Sequence, residues 1–323
     1  MIKKDLLKNK VVLVTGGAGF IGSHLCTESL KKGAKKVFAL DNFVASRQKN
    51  LRHLVKDNRF ELISGDIRDY ETVLPLVKKS DFIFHEAASK LVASLKNPRI
   101  DLGTNITGTF NILEAARHTT ARIIHASTGS VLGSSEEPMQ EDHEKNPTTL
   151  YGISKLTAEK YCEFYAKEFE VRVSVLRYFH VFGPRQDYYG EAGVINIFLS
   201  RILNGLPPII NGTGEQIRCF TYVKDDVDAN FLLASKDETI GEVYNVASKT
   251  RISVKDLAFK LVEKYAEKNL EPQYAPARPG ENLKPIPNAK KIEALGFKET
   301  VSFEEGLDLT KQWIEHDMIE DTY

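Results

Sequence analysis

Two side chains with acid–base chemistry lie four residues apart in the segment Tyr151-Gly-Ile-Ser-Lys155. They open a stretch with helical periodicity, and residues at this spacing share one face of a helix. A free tyrosine has a pKa of about 10, but a neighbouring ammonium group stabilises its phenolate, so the pair could accept a proton from a hydroxyl group. Ser127 and Thr128 end an apolar run, and one of them could hydrogen-bond the reacting oxygen. Because the same Tyr–Lys spacing also arises by chance on helix surfaces, the interpretation depends on what surrounds the pair.

A nucleotide-binding loop is indicated near the N-terminus, where Gly16, Gly19 and Gly22 follow a Val-rich run and precede a helix-like stretch. Glycine permits a tight turn, close approach of backbone N–H groups to a pyrophosphate, and packing of the next helix. Asp41 follows Gly22 by 19 residues, and a carboxylate there would bind the adenosine ribose and repel a 2′-phosphate. The pattern predicts NAD rather than NADP, with Arg47 nearby as a reservation. The alternative is an ordinary glycine turn followed by a capping Asp.

The elements that position these residues are apolar runs of strand length alternating with helix-like segments. This alternation predicts an α/β fold with a Rossmann-type doubly wound parallel sheet. Frequent Gly and Pro turns after Phe182 predict a second, smaller α/β lobe. A short strand at 242–246 could rejoin the first sheet, so we expect discontinuous regions, 1–178 with 220–250 and 179–219 with 251–323. The other predicted strands span 10–15, 36–40, 60–64, 81–85, 122–127 and 171–177, and the first helix spans 21–32.

Composition narrows the possible function classes. The 323 residues include 42% hydrophobic residues, enough for a large core, and 44 basic residues balance 44 acidic ones. A neutral chain does not predict nucleic acid or an anionic membrane as partner. No segment approaches the roughly 18 apolar residues of a membrane span, so we expect a cytoplasmic protein. Cys26, Cys162 and Cys219 lie far apart, which predicts buried reduced thiols and no metal site.

Four segments together resemble the extended short-chain dehydrogenases/reductases that modify nucleotide sugars, and the resemblance runs over nearly the whole chain. In that family, dehydratases and decarboxylases usually carry a carboxylate just after the catalytic Ser or Thr, whereas this chain has Gly129 and Ser130. The resemblance therefore implies a 4-epimerase of the UDP-glucose or UDP-N-acetylglucosamine type, with tightly bound NAD and a transient 4-keto sugar. The segments are Thr15-Gly-Gly-Ala-Gly-Phe-Ile-Gly22, Ser127-Thr128, Tyr151-Gly-Ile-Ser-Lys155 and Arg177-Tyr-Phe-His-Val-Phe-Gly-Pro-Arg185.

The resemblance also implies roles for individual residues. Tyr151 is the base, Thr128 bridges the sugar oxygen beside Ser127, and Lys155 contacts the nicotinamide ribose. Lys90 resembles a lysine that contacts the cofactor phosphates, the alternative being a solvated side chain. Asp66 could reach the adenine or form a turn. The expected cofactor contacts are Gly16, Gly19, Phe20, Ile21, Gly22, Asp41, Asn42, Asp66, Ile67, Ala87, Lys90, Asn105, Tyr151, Lys155 and Tyr178; the expected substrate contacts are Thr128, Tyr151, His180, Val194, Arg218, Arg278 and Glu281.

Some of these substrate positions depart from the family pattern. His180 stands where an Asn is usual; it could donate a hydrogen bond, add a cation at mildly acidic pH, or pack without a ligand. Cys219 replaces a common Asp after Arg218. Arg218 and Arg278 match cations that hold the diphosphate, although loop arginines are often only solvated. Pro285 is compact at a position where a large aromatic side chain excludes N-acetyl groups, which favours N-acetylhexosamines.

Two rivals to the epimerase remain. A decarboxylase or 4,6-dehydratase would use the same keto intermediate but would need a carboxylate from elsewhere in the fold. A non-catalytic NAD-binding sensor or scaffold would keep the fold without the chemistry, although the intact Thr128, Tyr151 and Lys155 speak against it. The resemblance further implies a homodimer that pairs through the helix-like segments 104–117 and 151–169.

Overall fold

The computed structural model describes residues 5–135, 137–189, 193–277 and 286–320. Its centre is a seven-stranded parallel sheet with the order β11-β6-β5-β4-β1-β2-β3, the Rossmann-type arrangement predicted from the sequence. The order reverses between β1 and β4, where an open α/β sheet forms its ligand crevice. The strands are β1 Val11–Thr15, β2 Lys36–Asp41, β3 Phe60–Ser64, β4 Phe82–His85, β5 Arg122–Thr128, β6 Val173–Tyr178 and β11 Val243–Val246.

Eleven helices belong to the described part of the chain, and several of them cover the sheet. Buried side chains of α2, α5 and α6 form one core cluster on the sheet, and those of α1 and α8 belong to another. The helices are α1 Phe20–Lys31, α2 Tyr70–Lys79, α3 Leu91–Lys96, α4 Pro98–Asp101, α5 Thr109–Ala116, α6 Leu150–Phe169, α7 Val194–Leu203, α8 Val223–Ala234, α9 Val254–Tyr265, α10 Lys290–Ala294 and α11 Phe303–Glu320.

The remaining strands form three two-stranded sheets. β7 and β10 pair in parallel, β8 and β13 pair in parallel, and β9 and β12 pair antiparallel. Helices α7, α9 and α11 contribute buried side chains to the adjoining core. The division into two discontinuous regions stays a prediction. These strands are β7 Val181–Phe182, β8 Ile209–Asn211, β9 Ile217–Cys219, β10 Thr221–Tyr222, β12 Arg251–Ser253 and β13 Gln273–Ala275.

Strand register brings the chemistry-bearing residues to one edge of the main sheet. Thr15 at the end of β1 is level with Leu40 in β2 and His85 in β4, and Thr128 in β5 is level with Tyr178 in β6. Because all seven strands run in the same direction, the loops that follow them meet at this carboxyl edge. The edge therefore collects the glycine loop, the acidic end of β2 and the hydroxyl groups at the end of β5.

Element bounds agree with the sequence prediction to within two residues for the predicted strands and the first helix. The helix expected from Thr104 differs: Leu102–Gly108 forms a π-helical segment, and α5 begins only at Thr109. The three cysteines are free and buried, as expected. Within the described residues, no helix is long and apolar enough to cross a bilayer. The cytoplasmic location stays a prediction.

Candidate active site

The glycine loop between β1 and α1 has the close backbone packing that its sequence predicts. Gly16 has a φ of +65°, which favours glycine, and its N–H donates to the Leu40 carbonyl at 2.8 Å. A Cβ on Gly16 would lie 2.9 Å from the Ala87 backbone, and one on Gly22 would lie 2.2 Å from the Gly16 carbonyl oxygen. Gly22 is therefore needed chiefly because the first turn of α1 lies against the loop itself. Phe20 and Ile21 form that first turn.

Asp41 holds the loop from the end of β2. Its Oδ2 accepts the Ala18 N–H at 2.9 Å, and its Oδ1 accepts the Phe43 N–H at 2.8 Å and the Ser46 hydroxyl at 2.6 Å. The carboxylate is 7% exposed and still lines the cavity beside the loop. Three of the roughly four acceptor sites of the carboxylate are thus taken, and Oδ2 can accept one further hydrogen bond, so the position remains suited to a ribose hydroxyl.

The positive charge of Arg47, which could have favoured NADP over NAD, is compensated by two carboxylates. Its guanidinium bonds the Asp187 carboxylate and lies 3.7 Å from Asp317. It also stacks against the rings of Tyr188 and Tyr189. Two carboxylates at this position oppose the approach of a 2′-phosphate, which favours NAD.

The third strand ends in a second acidic group, Asp66. Arg68 donates two hydrogen bonds to its carboxylate, at 2.9 and 2.7 Å, and the Asn42 amide donates another at 2.8 Å. Hydrogen bonding by Arg68 lowers the pKa of Asp66 to about 2. Ile67 lines the adjoining cavity. The adenine contacts assigned to Asp66 and Asn42 stay predictions, but both residues lie beside Asp41 at the same sheet edge.

A cavity of about 620 Å³ runs along the carboxyl edge of the sheet from Asp41 past Gly16 and Gly19 to Ala87 and Lys90. Lys90 is exposed and precedes α3, where its ammonium group can reach a phosphate in the cavity. The size and lining fit a dinucleotide whose pyrophosphate lies at the glycine loop.

Asn105 lies on the π-helical segment and ties three elements together. Its Oδ1 accepts the Ser89 N–H at 2.8 Å, and its Nδ2 donates to Asp101 and to the Ser154 hydroxyl, both at 2.9 Å. The side chain is completely buried. It therefore positions the loop after β4 against α6, the helix that carries the Tyr–Lys pair; π-helical turns often occur at functional sites.

Tyr151 and Lys155 lie on the first turns of α6, which Thr149 caps by accepting the Gly152 N–H at 3.1 Å. Burial raises the pKa of Tyr151 to about 12, against the lowering effect of a hydrogen bond with Thr128. Burial likewise lowers the pKa of Lys155 to about 8. In the chain without cofactor, burial therefore outweighs the expected acidifying effect of the ammonium group on the tyrosine.

The two adjacent hydroxyl groups at the end of β5 have different partners. Thr128 lies beside Tyr151, and its Oγ1 also accepts the Ser130 N–H at 3.2 Å. Ser127 is 3% exposed and donates to Glu159 at 2.5 Å. The structure therefore places Thr128 with the reacting pair and Ser127 in a separate, buried interaction.

Glu159 and Glu86 are residues that sequence reasoning missed. Arg177 donates to both oxygens of Glu159, at 2.9 and 2.7 Å, and both side chains are buried. Glu86 lines the cavity and accepts a hydrogen bond from the Tyr178 hydroxyl at 2.9 Å. An acidic residue directly after a buried strand was the available signal for Glu86.

On the substrate side, His180 and Arg218 interact electrostatically, which places them at one location. Burial, followed by Arg218, lowers the pKa of His180 to about 3, so the cation considered for mildly acidic pH does not form. Arg218 is buried rather than solvated, and Val194 begins α7. Arg278, Glu281 and Pro285 lie outside the described residues, and their roles stay predictions.

Comparison with known proteins shows which family this chain belongs to. The model of the NAD dependent epimerase/dehydratase family matches residues 12–247. The chain is similar to a putative UDP-glucose 4-epimerase of Methanocaldococcus jannaschii, with 34% identity over 95% of this chain and 99% of the relative. It is also similar to a UDP-N-acetyl-alpha-D-glucosaminuronate decarboxylase of Bacillus cytotoxicus, with 36% identity over 94% and 97% of the two chains.

Among solved structures, the UDP-glucose 4-epimerase of Thermotoga maritima, determined with UDP-glucose, is 36% identical and has a TM-score of 0.88. The similarity covers 95% of this chain and 99% of that one. Epimerases and a decarboxylase thus match at nearly equal identity, so similarity alone does not select the reaction. The family match identifies NAD as the cofactor, in agreement with the glycine loop and Asp41.

Proposed function

The chain is an enzyme of the NAD-dependent epimerase/dehydratase family, and on that premise we propose that it is a UDP-sugar 4-epimerase. Its substrates would be UDP-N-acetylglucosamine, UDP-glucose or both, converted to the galacto epimer. The family also contains decarboxylases and dehydratases, so the proposal depends on what this chain places next to Thr128.

The observation that carries the proposal is the packing of Gly129. A Cβ at this position would lie 2.3 Å from the ring of Phe179, a side chain that is only 6% exposed. The carboxylate that the dehydratase and decarboxylase patterns place directly after the hydroxyl residue therefore has no room here. An epimerase needs no such group, because the only bonds that it breaks and remakes are the C–H and O–H bonds at C4, with no loss of water or carbon dioxide.

The cavity is suited to NAD by its own residues. Gly16 and Gly22 leave the loop backbone uncovered, Asp41 offers acceptors to a ribose, and Lys90 offers a cation to a phosphate. Bound NAD would supply the hydride transfer from and back to the sugar. The buried Asn105 would hold the loop after β4 in place while this occurs.

Side chains of the protein would carry out the proton transfer and stabilise the reacting oxygen. Tyr151 takes the proton of the C4 hydroxyl and later returns it, while Thr128 hydrogen-bonds the same oxygen. Lys155 supplies positive charge beside Tyr151, and with a pKa of about 8 it is still largely protonated at neutral pH. A bound nicotinamide cation would add to that charge, which counteracts the effect of burial on Tyr151. His180, Val194 and the buried Arg218 would contact the nucleotide sugar, the neutral imidazole by hydrogen bonding alone.

Incubation of the purified protein with each UDP-sugar in the absence of added NAD tests the proposal. We expect the C4 configuration to invert at unchanged mass, as followed by proton NMR and mass spectrometry. Tyr151→Phe should abolish conversion, whereas Tyr161→Phe, an exposed tyrosine on the same helix, should not. Loss of water or carbon dioxide would assign the chain to the dehydratase or decarboxylase branch instead. No turnover with either sugar, even with NAD supplied, would favour a non-catalytic NAD-binding role.

The proposal includes a homodimer formed through α5 and α6. Their outer faces expose Phe110, Ile153 and Phe164 at 38%, 49% and 53%, an unusual number of large apolar side chains for a free surface. Light scattering after gel filtration should give twice the chain mass. Phe164→Glu should yield a monomer that keeps its cofactor.

A further inference from the structure

Glu86 places a carboxyl group in the wall of the cofactor cavity, one residue beyond the end of β4. The Tyr178 hydroxyl donates to its Oε1 at 2.9 Å, and the buried Asn230 amide donates to that hydroxyl oxygen at 2.6 Å. β6 and α8 therefore fix the carboxyl group with neutral donors. Among the described residues, no Lys or Arg lies within ion-pair distance of Glu86, so its charge is available to a ligand.

The sheet topology places Glu86 at the nicotinamide half of the cavity. Because Asp41 ends β2, the adenosine half of a bound dinucleotide would lie over β1, β2 and β3. The dinucleotide would then extend across the point where the strand order reverses to the half of the sheet that begins with β4. Glu86 lies on that other half. It also interacts electrostatically with Tyr151 and Lys155, which places it near the reacting pair.

We propose that Glu86 makes the cavity select the oxidised, cationic form of the cofactor over the reduced, neutral form. NAD⁺ and NADH differ in charge at the nicotinamide ring and are otherwise the same ligand. A carboxylate in a poorly hydrated cavity attracts the cationic ring and leaves the neutral ring unaffected. Opposite charges within several ångströms at a partly buried site change a binding ratio by about tenfold or more. The inference rests on NAD binding and is independent of the sugar that the enzyme converts.

The charged and titratable groups that face Glu86 are Tyr178, Tyr151, Asp226 and Lys155. Burial raises the pKa of Tyr178 and of Tyr151, so both phenols are neutral near pH 7. Burial also raises the pKa of Asp226 well above its usual value, which favours the neutral form of this carboxyl group, and its oxygens have no hydrogen-bond partner in the described structure. Lys155 is the facing cation.

Burial raises the pKa of Glu86 itself to about 7, against the opposing effects of the Tyr178 hydrogen bond and the Lys155 charge. A bound cationic ring lowers that pKa, and a neutral ring does not. Selection of the oxidised form therefore rises with pH while Glu86 loses its proton, and at higher pH the loss of the Lys155 charge adds to the rise.

Competition between the two cofactor forms tests the inference. The protein is equilibrated with excess equimolar NAD⁺ and NADH, free nucleotide is removed by gel filtration, and the bound forms are separated by chromatography. Glu86→Gln, which keeps the shape of the side chain, should lower the bound NAD⁺:NADH ratio by about tenfold at pH 8. Asp66→Asn is the matched control, since a carboxylate at the adenine side meets the same group in both forms and should leave the ratio unchanged.

The pH dependence of the unaltered protein gives an independent measurement. Its bound ratio should fall several-fold between pH 8 and pH 6, because Glu86 gains its proton in this range. An equal ratio for the unaltered protein and Glu86→Gln at pH 8 would overturn the inference, as would a ratio in the unaltered protein that does not change with pH. If Glu86→Gln does not fold, as judged by its melting transition, the pH series between pH 6 and pH 7 decides the question, because Lys155 stays largely protonated in that range. Epimerase activity is not part of either readout.

Discussion

The different partners of Ser127 and Thr128 predict that substituting each of them has a different effect. Thr128→Val keeps the branched shape but removes the hydroxyl next to Tyr151. We expect kcat to fall about 10²-fold, the size typical of losing one positioned hydrogen bond to a reacting oxygen, or about 2.7 kcal/mol in barrier height. Stability should change little, since Thr128 is partly exposed.

Ser127→Ala should lower the stability of the protein and leave kcat nearly unchanged. Its hydroxyl donates to the buried Glu159 carboxylate, and a hydrogen bond to a charged group contributes about 1.5–3 kcal/mol. Glu159 keeps two hydrogen bonds from Arg177, so the lower end, about 1.5 kcal/mol, is expected. The melting temperature should fall by roughly 3 °C while kcat stays within about threefold.

Both variants are assayed by initial rates of C4 inversion under saturating UDP-sugar and by calorimetric melting of the cofactor-loaded protein. Comparing kcat with melting temperature separates a group that contacts the reacting oxygen from one that supports the helix. The reasoning is refuted if Ser127→Ala loses more activity than Thr128→Val, because Ser127 rather than Thr128 would then be the residue that contacts the reacting oxygen.

Three further predictions follow from contacts in the structure. Gly22→Ala should remove bound NAD, measured as nucleotide released on denaturation, because its Cβ would lie 2.2 Å from a backbone oxygen. Glu159→Gln should destabilise the protein by about 3 kcal/mol, since it leaves the buried charge of Arg177 without a counter-charge. The pKa of Asp66 is about 2 in the folded chain, so its hydrogen bonds with Arg68 stabilise the fold above about pH 4. This stabilisation is lost as the pH falls towards 2. Asp66→Asn should remove this pH dependence, measured as the denaturant concentration at the midpoint of unfolding.

Matched substitutions control these measurements. Gly205→Ala adds a Cβ that would meet nothing within 4 Å and does not line the cavity; its φ of +67° strains an alanine there, but NAD content should be retained in full. Loss of NAD in this control would instead indicate a general effect of replacing glycine. Lys160→Gln breaks the exposed pair with Glu163 on α6 and should cost at most about 0.5 kcal/mol. A similar cost for Glu159→Gln would mean that burial of the pair carries no energetic weight.

Local pattern was sufficient to predict the sheet. Each strand of the main sheet is a short, largely apolar run, and Gly, Asp or Ser residues mark the carboxyl ends of β1, β2, β3 and β5; parallel strands buried on both faces produce such runs. The glycine loop was equally predictable, because its spacing encodes the backbone contacts seen at Gly16 and Gly22. The π-helical segment around Asn105 was not, since its hydrogen bonds depend on Ser89 and Ser154 from other elements.

Side-chain direction was the part of the site that the sequence could not decide. Successive residues of a strand point to opposite faces, but in a sheet covered on both faces neither Ser127 nor Thr128 is marked as the one that faces the cavity. The role of Glu86 could not be predicted either, because it depends on contacts between distant parts of the chain. Its partner Tyr178 is 92 residues away, and its pKa is set by burial among elements that only the fold brings together.

The packing of Phe179 over Gly129 has a consequence for how this chain could change its reaction by mutation. Any lineage or variant library that moves towards dehydration through residue 129 meets a ring 2.3 Å from the first carbon of the new side chain. An acidic substitution there becomes acceptable only after Phe179 has been replaced by a smaller residue. The two changes therefore have a required order, and single-substitution screens at this position should recover unfolded or inactive proteins rather than new activities. Libraries that vary both positions together are the ones in which a new reaction can be found.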